Sequence, residues 1–187
     1  MNLKEKQLEA EYLYKGKIIN LRCDTALLPN GKTALREVVE HPGGVCVAAL
    51  TDNDEVLLVK QFRYPYFETI LEIPAGKRDS KDESPIDCGI RELREETGAI
   101  AKNIFPLGEL YPTPGYCGEI IWLFGATGLS FESQDLDEDE FLEVEKIPLE
   151  KAVEMIMKGE IKDAKTQTAI LKLKLLKDNG KNLKGRL

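Results

Sequence analysis

The order of elements in this chain predicts an α/β protein: a run of strands, one sharply delimited helix, more strands, then two closing helices. Three observations carry that prediction. The apolar runs Val45 to Leu50 and Val56 to Phe62 are almost unbroken, which suits strands covered on both faces by helices. The segment Pro85 to Thr97 has helix start and stop signals that all agree. The 187 residues allow one large domain, or one core domain with a small appendage, and little more.

Taken in order, Tyr12 to Leu27 is rich in strand formers, Pro29-Asn30-Gly31 is a strong turn signal, and Thr33 to Val39 returns as a strand. Residues 12–39 therefore read as a small antiparallel β-meander. Pro42-Gly43-Gly44 breaks the chain, and Asp52-Asn53-Asp54 joins the two apolar runs into a hairpin. Thr69 to Ile73 adds a strand that Pro74 ends. For the helix, Ser84 is the N-cap, Pro85 the first helical residue, Asp87 completes a capping-box pattern, and Gly98 is the stop. Ile86, Ile90 and Leu93 form its expected buried stripe. Strands follow at Ile104 to Tyr111 and Ile120 to Phe124, then an acidic loop from Glu132 to Glu140 and a strand from Phe141 to Ile147. Helices over Leu149 to Lys158 and Ala164 to Lys177 close the fold, with Gly159 ending the first and Asp163 capping the second. The expected partition is 1–42 for the N-terminal meander, 43–177 for the main domain and 178–187 for a flexible tail.

Composition excludes several functions. Lys plus Arg total 26 against 33 for Asp plus Glu, a net charge of −7, and that repels a nucleic-acid backbone. Four cysteines without a CxxC pair support neither a zinc ribbon nor a redox motif. His41, the only histidine, sits at a turn and rules out multi-histidine metal centres. There is no GxGxxG, no P-loop, no secretory signal and no run of 18 apolar residues, so the expectation is a cytoplasmic protein without a membrane or nucleic-acid partner.

The helix at 85–97 breaks charge rules in one direction. Glu92, Glu95 and Glu96 crowd one arc of its last turn, where like charges at i,i+4 repel and the helix macrodipole is already negative. The plain alternative is a solvated acidic face balanced by Arg91 and Arg94. The chemical reading is a cation site, because hard carboxylate oxygens suit Mg²⁺ or Mn²⁺, which keep waters and bridge to substrate phosphates.

From Gly76 through Glu83 and Arg91-Glu92-Leu93-Arg94-Glu95-Glu96-Thr97-Gly98, the chain resembles the Nudix box, G-x5-E-x7-R-E-U-x-E-E-x-G-U with U aliphatic. The second half matches at every fixed position through Gly98. The first half departs, with six residues between Gly76 and Glu83, and Ala99 is small for the final position. The resemblance implies a Nudix-type α/β/α sandwich with a mixed central sheet beside the small N-terminal antiparallel sheet, and hydrolysis of a nucleoside diphosphate linked to another moiety. It further implies Glu92 and Glu96 as principal metal ligands, Glu95 as an assistant, the backbone carbonyl of Ala75 as a further ligand, and structural roles for Gly76, Glu83, Arg91 and Gly98.

Resemblance outside the box points to the ADP-ribose pyrophosphatase subgroup: Leu27 to Lys32, Arg36 to Gly43, Val59 to Arg63, Tyr111 to Gly115, and Pro114 placed 16 residues after Gly98. It implies a homodimer that exchanges its N-terminal sheets, with Arg63 near the phosphates and Arg36 and Pro114 near the substrate. The general base that activates water is expected on the late acidic loop, at Glu140 with Glu138 second. The expected reaction is Mg²⁺-dependent cleavage of ADP-ribose to AMP and ribose 5-phosphate, Mn²⁺ being an alternative ion. Another nucleoside diphosphate sugar, such as GDP-mannose or ADP-glucose, and a non-catalytic nucleotide sensor stay open.

Overall fold

The computed structural model describes residues 2–78, 82–138, 140–180 and 183. The chain divides into two units, Met1–Gly43 with Tyr111–Ile120, and Gly44–Leu110 with Ile121–Leu187.

The first unit is a three-stranded antiparallel sheet of β1 (Lys6–Lys15), β2 (Asn20–Leu27) and β3 (Thr33–Glu40), in that order. The meander thus begins at Lys6, six residues before the expected start; alternating charged and apolar residues, exposed throughout, pair with β2 from Lys6↔Leu27 onward. Residues 111–120 dock on β3, where the Val39 amide donates to the Tyr116 carbonyl (2.8 Å) and the Gly118 amide to the Val39 carbonyl (2.9 Å). His41 holds its turn, as its Nδ1 accepts from the Gly43 amide at 3.1 Å.

The second unit is built on a seven-stranded mixed sheet. Its main path runs β10 (Leu142–Pro148), β5 (Glu55–Arg63), β4 (Gly44–Leu50), β9 (Ile121–Phe131), β8 (Ala99–Leu110), with β6 (Glu68–Glu72) on β5 and β7 (Ala75–Lys77) on β4. Only the β4–β9 pairing is parallel among these. Strand alternation divides the core: Val45, Val47 and Ala49 face α1 (Pro85–Thr97), while Cys46, Ala48 and Leu50 face α2 (Leu149–Met157) and α3 (Ala164–Asp178). That is why the apolar runs are continuous. Strand β8 begins at Ala99, immediately after the helix stop, and takes in Lys102, Asn103 and Pro106, residues that an edge position and a bulge before Gly108 accommodate. Strand β7, which holds Gly76, has no signal of its own in the sequence.

Helix α1 spans the expected residues. Ser84 Oγ accepts from the Asp87 amide (3.2 Å) and donates to the Asp87 carboxylate (2.6 Å), and Gly98 ends the helix at φ 68°. Of the expected stripe, Leu93 is buried and Ile86 packs partly buried against the same core, but Ile90 is 49% exposed, and Cys88, Gly89, Glu92 and Glu96 are buried as well. Small residues decide this: Gly89 lies against Val47 and Phe124, and a helix that approaches the sheet this closely turns its neighbouring glutamates inward.

All four cysteines are free thiols. Among the described residues no helix is long and apolar enough to cross a membrane. Most of the expected flexible tail, residues 181–182 and 184–187, lies outside the described residues, as do 79–81 within the box and Asp139 of the acidic loop.

Candidate active site

Two carboxylates of α1 lie in the protein interior, Glu92 at 7% and Glu96 at 2% exposure. Burial drives their pKa values up, to about 7 for Glu92 and about 8 for Glu96, since removing a carboxylate from water penalises its charged form. Arg91 opposes the shift at Glu92, and the Ala75 amide, donating to Glu96 Oε2 at 3.0 Å, opposes it at Glu96. The negative charge of Glu140 pushes both values higher. Such carboxylates lack positive charge in proportion to their burial, and a divalent cation would supply what is missing. The donors are all hard oxygens, so the residues fit Mg²⁺ or Mn²⁺.

Local structure accounts for each placement. Strand β7 runs under the helix, and a Cβ on Gly76 would sit 2.0 Å from Glu92 Cδ, so only glycine leaves room for that carboxylate. Arg91 binds the rest: its Nη1 donates to Glu92 and Glu95, each at 2.9 Å, and its Nε to Glu83 at 3.1 Å. Glu83 thus meets the helix carboxylates through Arg91. Gly98 allows the turn after the last carboxylate, and the acidic loop is sewn to that helix end. The Asp135 amide donates to the Glu95 carbonyl (3.0 Å) and Gln134 Nε2 to the Glu96 carbonyl (2.5 Å). These bonds satisfy carbonyls that a helix terminus leaves open, and they lead the loop toward the site.

Of the two loop acids, Glu140 is half-buried and lines a cleft of about 450 Å³ with Lys60, Phe62, Thr69 and Phe141, while Glu138 is exposed. Among the described residues no three His, Cys, Asp or Glu side chains are gathered as a ready metal cluster. Arg91, hydrogen-bonded to Glu92 and Glu95, faces both carboxylates. Ala75 is brought to Glu96 through its amide.

Arg63, at the end of β5, is gripped by Glu72, with Nε to Oε1 at 2.5 Å and Nη2 to Oε2 at 2.7 Å. Its pKa is raised, first by that bond and, to a smaller extent, by the charge of Glu96. Arg36 and Pro114 both belong to the first unit and line one cleft there, of about 330 Å³, where Arg36 pairs with Glu5 at 2.8 and 2.9 Å.

Sequence reading missed Glu72 and Lys165. Glu72 is 1% exposed, and Lys165 Nζ donates to its Oε2. Each had a signal. Glu72 is a lone charge in the apolar strand Thr69 to Ile73, and Lys165 is a cation in the first turn of a helix, where the macrodipole disfavours it.

Residues 33–168 match the NUDIX domain, and residues 5–39 match the nucleoside diphosphate sugar hydrolase N-terminal domain. The chain belongs to the Nudix family. Among its relatives, it is 46% identical to the ADP-ribose pyrophosphatase of Bacillus subtilis over 93% of this chain and 95% of that one. It is 40% identical to the methanol dehydrogenase activator of Bacillus methanolicus, over 91% and 93% of the two chains. The Nudix fold is shared with a solved structure described as an ADP compounds hydrolase, at TM-score 0.83 and 22% identity over 97% of this chain and 99% of the other. The protein is a Nudix hydrolase, and Nudix hydrolases generally use divalent metal ions.

Proposed function

We propose that the protein hydrolyses the diphosphate of ADP-ribose to AMP and ribose 5-phosphate, with Mg²⁺ as the working ion. The observation that carries this reading is the pair of buried, cation-deficient carboxylates Glu92 and Glu96, on an otherwise well-satisfied helix. The similarity to the Bacillus subtilis enzyme supports the choice of ADP-ribose.

Glu92 and Glu96 would hold the metal, with Glu95 assisting once Arg91 releases it and the Ala75 carbonyl as a further donor. When bound, the ion neutralises the diphosphate and lowers the pKa of the attacking water. The rest falls to side chains. Arg63 presents guanidinium N–H groups to a diphosphate oxygen, a geometry that lysine cannot copy. Glu140 takes a proton from the water as it attacks phosphorus, and Glu138 is the second candidate. The P–O bond to the leaving phosphate breaks, and both products leave as monophosphates. Gly76, Glu83, Arg91 and Gly98 keep the carboxylates in place.

Arg36 and Pro114, at their own cleft, are proposed to bind the substrate in a homodimer whose N-terminal segment, residues 1–42, is exchanged between subunits. Support comes from β1, where Leu8, Tyr12, Leu13 and Tyr14 are all exposed, an apolar display that a single sheet has no use for.

The test is incubation of the purified protein with Mg²⁺ and a panel of nucleoside diphosphate sugars, with products identified by mass. AMP and ribose 5-phosphate from ADP-ribose, formed faster than products of GDP-mannose or ADP-glucose, is the expected result. Binding of ADP-ribose without hydrolysis would overturn it in favour of a sensor.

A further inference from the structure

Beside the helix carboxylates, the second unit gathers another set of charges around the buried Glu72: Arg63, Asp163 and Lys165, all partly buried. Glu72 accepts from Arg63 through both oxygens and from Lys165 through Oε2, and Lys165 Nζ reaches Asp163 Oδ1 at 3.1 Å. Two cations alternate with two anions. Burial works against the charge on Glu72, yet Arg63 and Lys165 outweigh it and its pKa is lowered. Lys165 is the costly member. Its side chain is 11% exposed, and it stands in the first turn of α3 against the macrodipole. Buried ion pairs seldom add net stability over apolar side chains of the same volume, so the presence of this lysine asks for another reason.

Arg63 supplies that reason. Glu72 holds only the Nε–Nη2 edge of the guanidinium. Among the described residues Nη1 makes no hydrogen bond, and the side chain is 37% exposed. An arginine clamped by one edge offers the other to an anion in a fixed plane. Glu72 would nonetheless spend the charge of Arg63 if it had no second cation. Lys165 is that cation. The first turn of α3 is fastened to the same strand: Asp163 Oδ2 accepts from Thr166 N (2.9 Å) and Thr166 Oγ1 (2.5 Å), and Thr166 Oγ1 accepts from Ile73 N (2.9 Å), the residue after Glu72.

We propose that Lys165 is a positioning residue: acting through Glu72, it holds Arg63 with its Nη1 edge open to a diphosphate oxygen of the substrate. The proposal rests on the reading that Arg63 grips the diphosphate.

A double-mutant cycle on the full-length, Mg²⁺-loaded enzyme tests it, with kcat and KM for ADP-ribose measured for Arg63→Ala, Lys165→Met and the double variant. The expectation is a KM raised about a hundredfold by Arg63→Ala and about tenfold by Lys165→Met, with kcat within about threefold in the latter and no further rise in the double variant. Lys165→Arg, which keeps the charge, should recover part of the loss. Losses that multiply in the double variant, or an unchanged KM in Lys165→Met, overturn the proposal while leaving the Arg63 reading intact. An unchanged KM in Arg63→Ala overturns both. If Lys165→Met does not fold, Glu72→Gln takes its place in the cycle, with the same expected and overturning results.

Discussion

Gly76→Ala isolates the position of one carboxylate. Gly76 has no positive φ, so alanine suits its backbone, and the whole effect comes from the added methyl group. That methyl would lie 2.0, 2.1 and 2.3 Å from Cδ, Oε1 and Oε2 of Glu92, and no other atom is so near. Ordinary contact begins at 3.4 Å, so the carboxylate must retreat by 3.4 − 2.0 = 1.4 Å. Glu92 is the far end of a flexible side chain, and turning it costs about 0.5–1.5 kcal/mol, which the fold can bear. Catalysis tolerates the shift far less well, since a misplacement of about 1 Å costs about a hundredfold, or about 2.7 kcal/mol in the barrier. The expected result is therefore kcat/KM for ADP-ribose lowered by about a hundredfold or more at saturating Mg²⁺, with a melting temperature within a few degrees of wild type. Combining Gly76→Ala with Glu92→Gln should lower activity little beyond the worse single variant. Wild-type turnover in Gly76→Ala would refute the placement of Glu92, and a collapse of the melting temperature would show that the strand, not the carboxylate, takes the strain.

Glu92→Gln and Glu96→Gln should each lower kcat by about two orders of magnitude or more with the fold retained by circular dichroism, and chelation of divalent ions should abolish turnover until Mg²⁺ is returned. The pH dependence of the metal-free protein has a definite sign. Glu92 and Glu96 have folded pKa values raised from 4.5 to about 7 and about 8, so their stabilising protonation is complete below about pH 4.5 and is lost as pH rises through 7 and 8. Its melting temperature, followed by calorimetry in a chelator, should fall across that window, and Glu96→Gln should flatten the fall; a rise with pH would contradict the burial argument. Asp163→Ala removes the cap of α3 and its bonds to Thr166, and should cost about 1–2 kcal/mol in denaturant unfolding; a loss below a few tenths would mean the cap is redundant.

Helix α1 was legible because its signals are local. Ser84, Pro85 and Gly98 each act on the next few amides, and the clash of Glu92, Glu95 and Glu96 with the helix dipole is visible along the chain itself. Its buried face was legible only in part. Ile86 and Leu93 meet the core as their spacing implies, but Ile90 does not, and the close contact with Val47 and Phe124 is made through Gly89, an approach that cannot be read from hydrophobicity. The long strand β8 was read short because Lys102, Asn103 and Pro106 resemble loop residues until an edge position explains them.

By itself, then, the sequence determined the α/β class, the bounds of the helices, and a run of glutamates at odds with its own helix dipole, because caps, periodicity and like-charge repulsion operate within one or two helical turns. The tertiary structure alone decided which carboxylates are buried, that Gly76 makes room for Glu92, and that Lys165 meets Glu72 across 93 residues of chain. Desolvation and ion pairing depend on what folding brings alongside a group, and neighbours in space leave no mark on the spacing of residues along the chain.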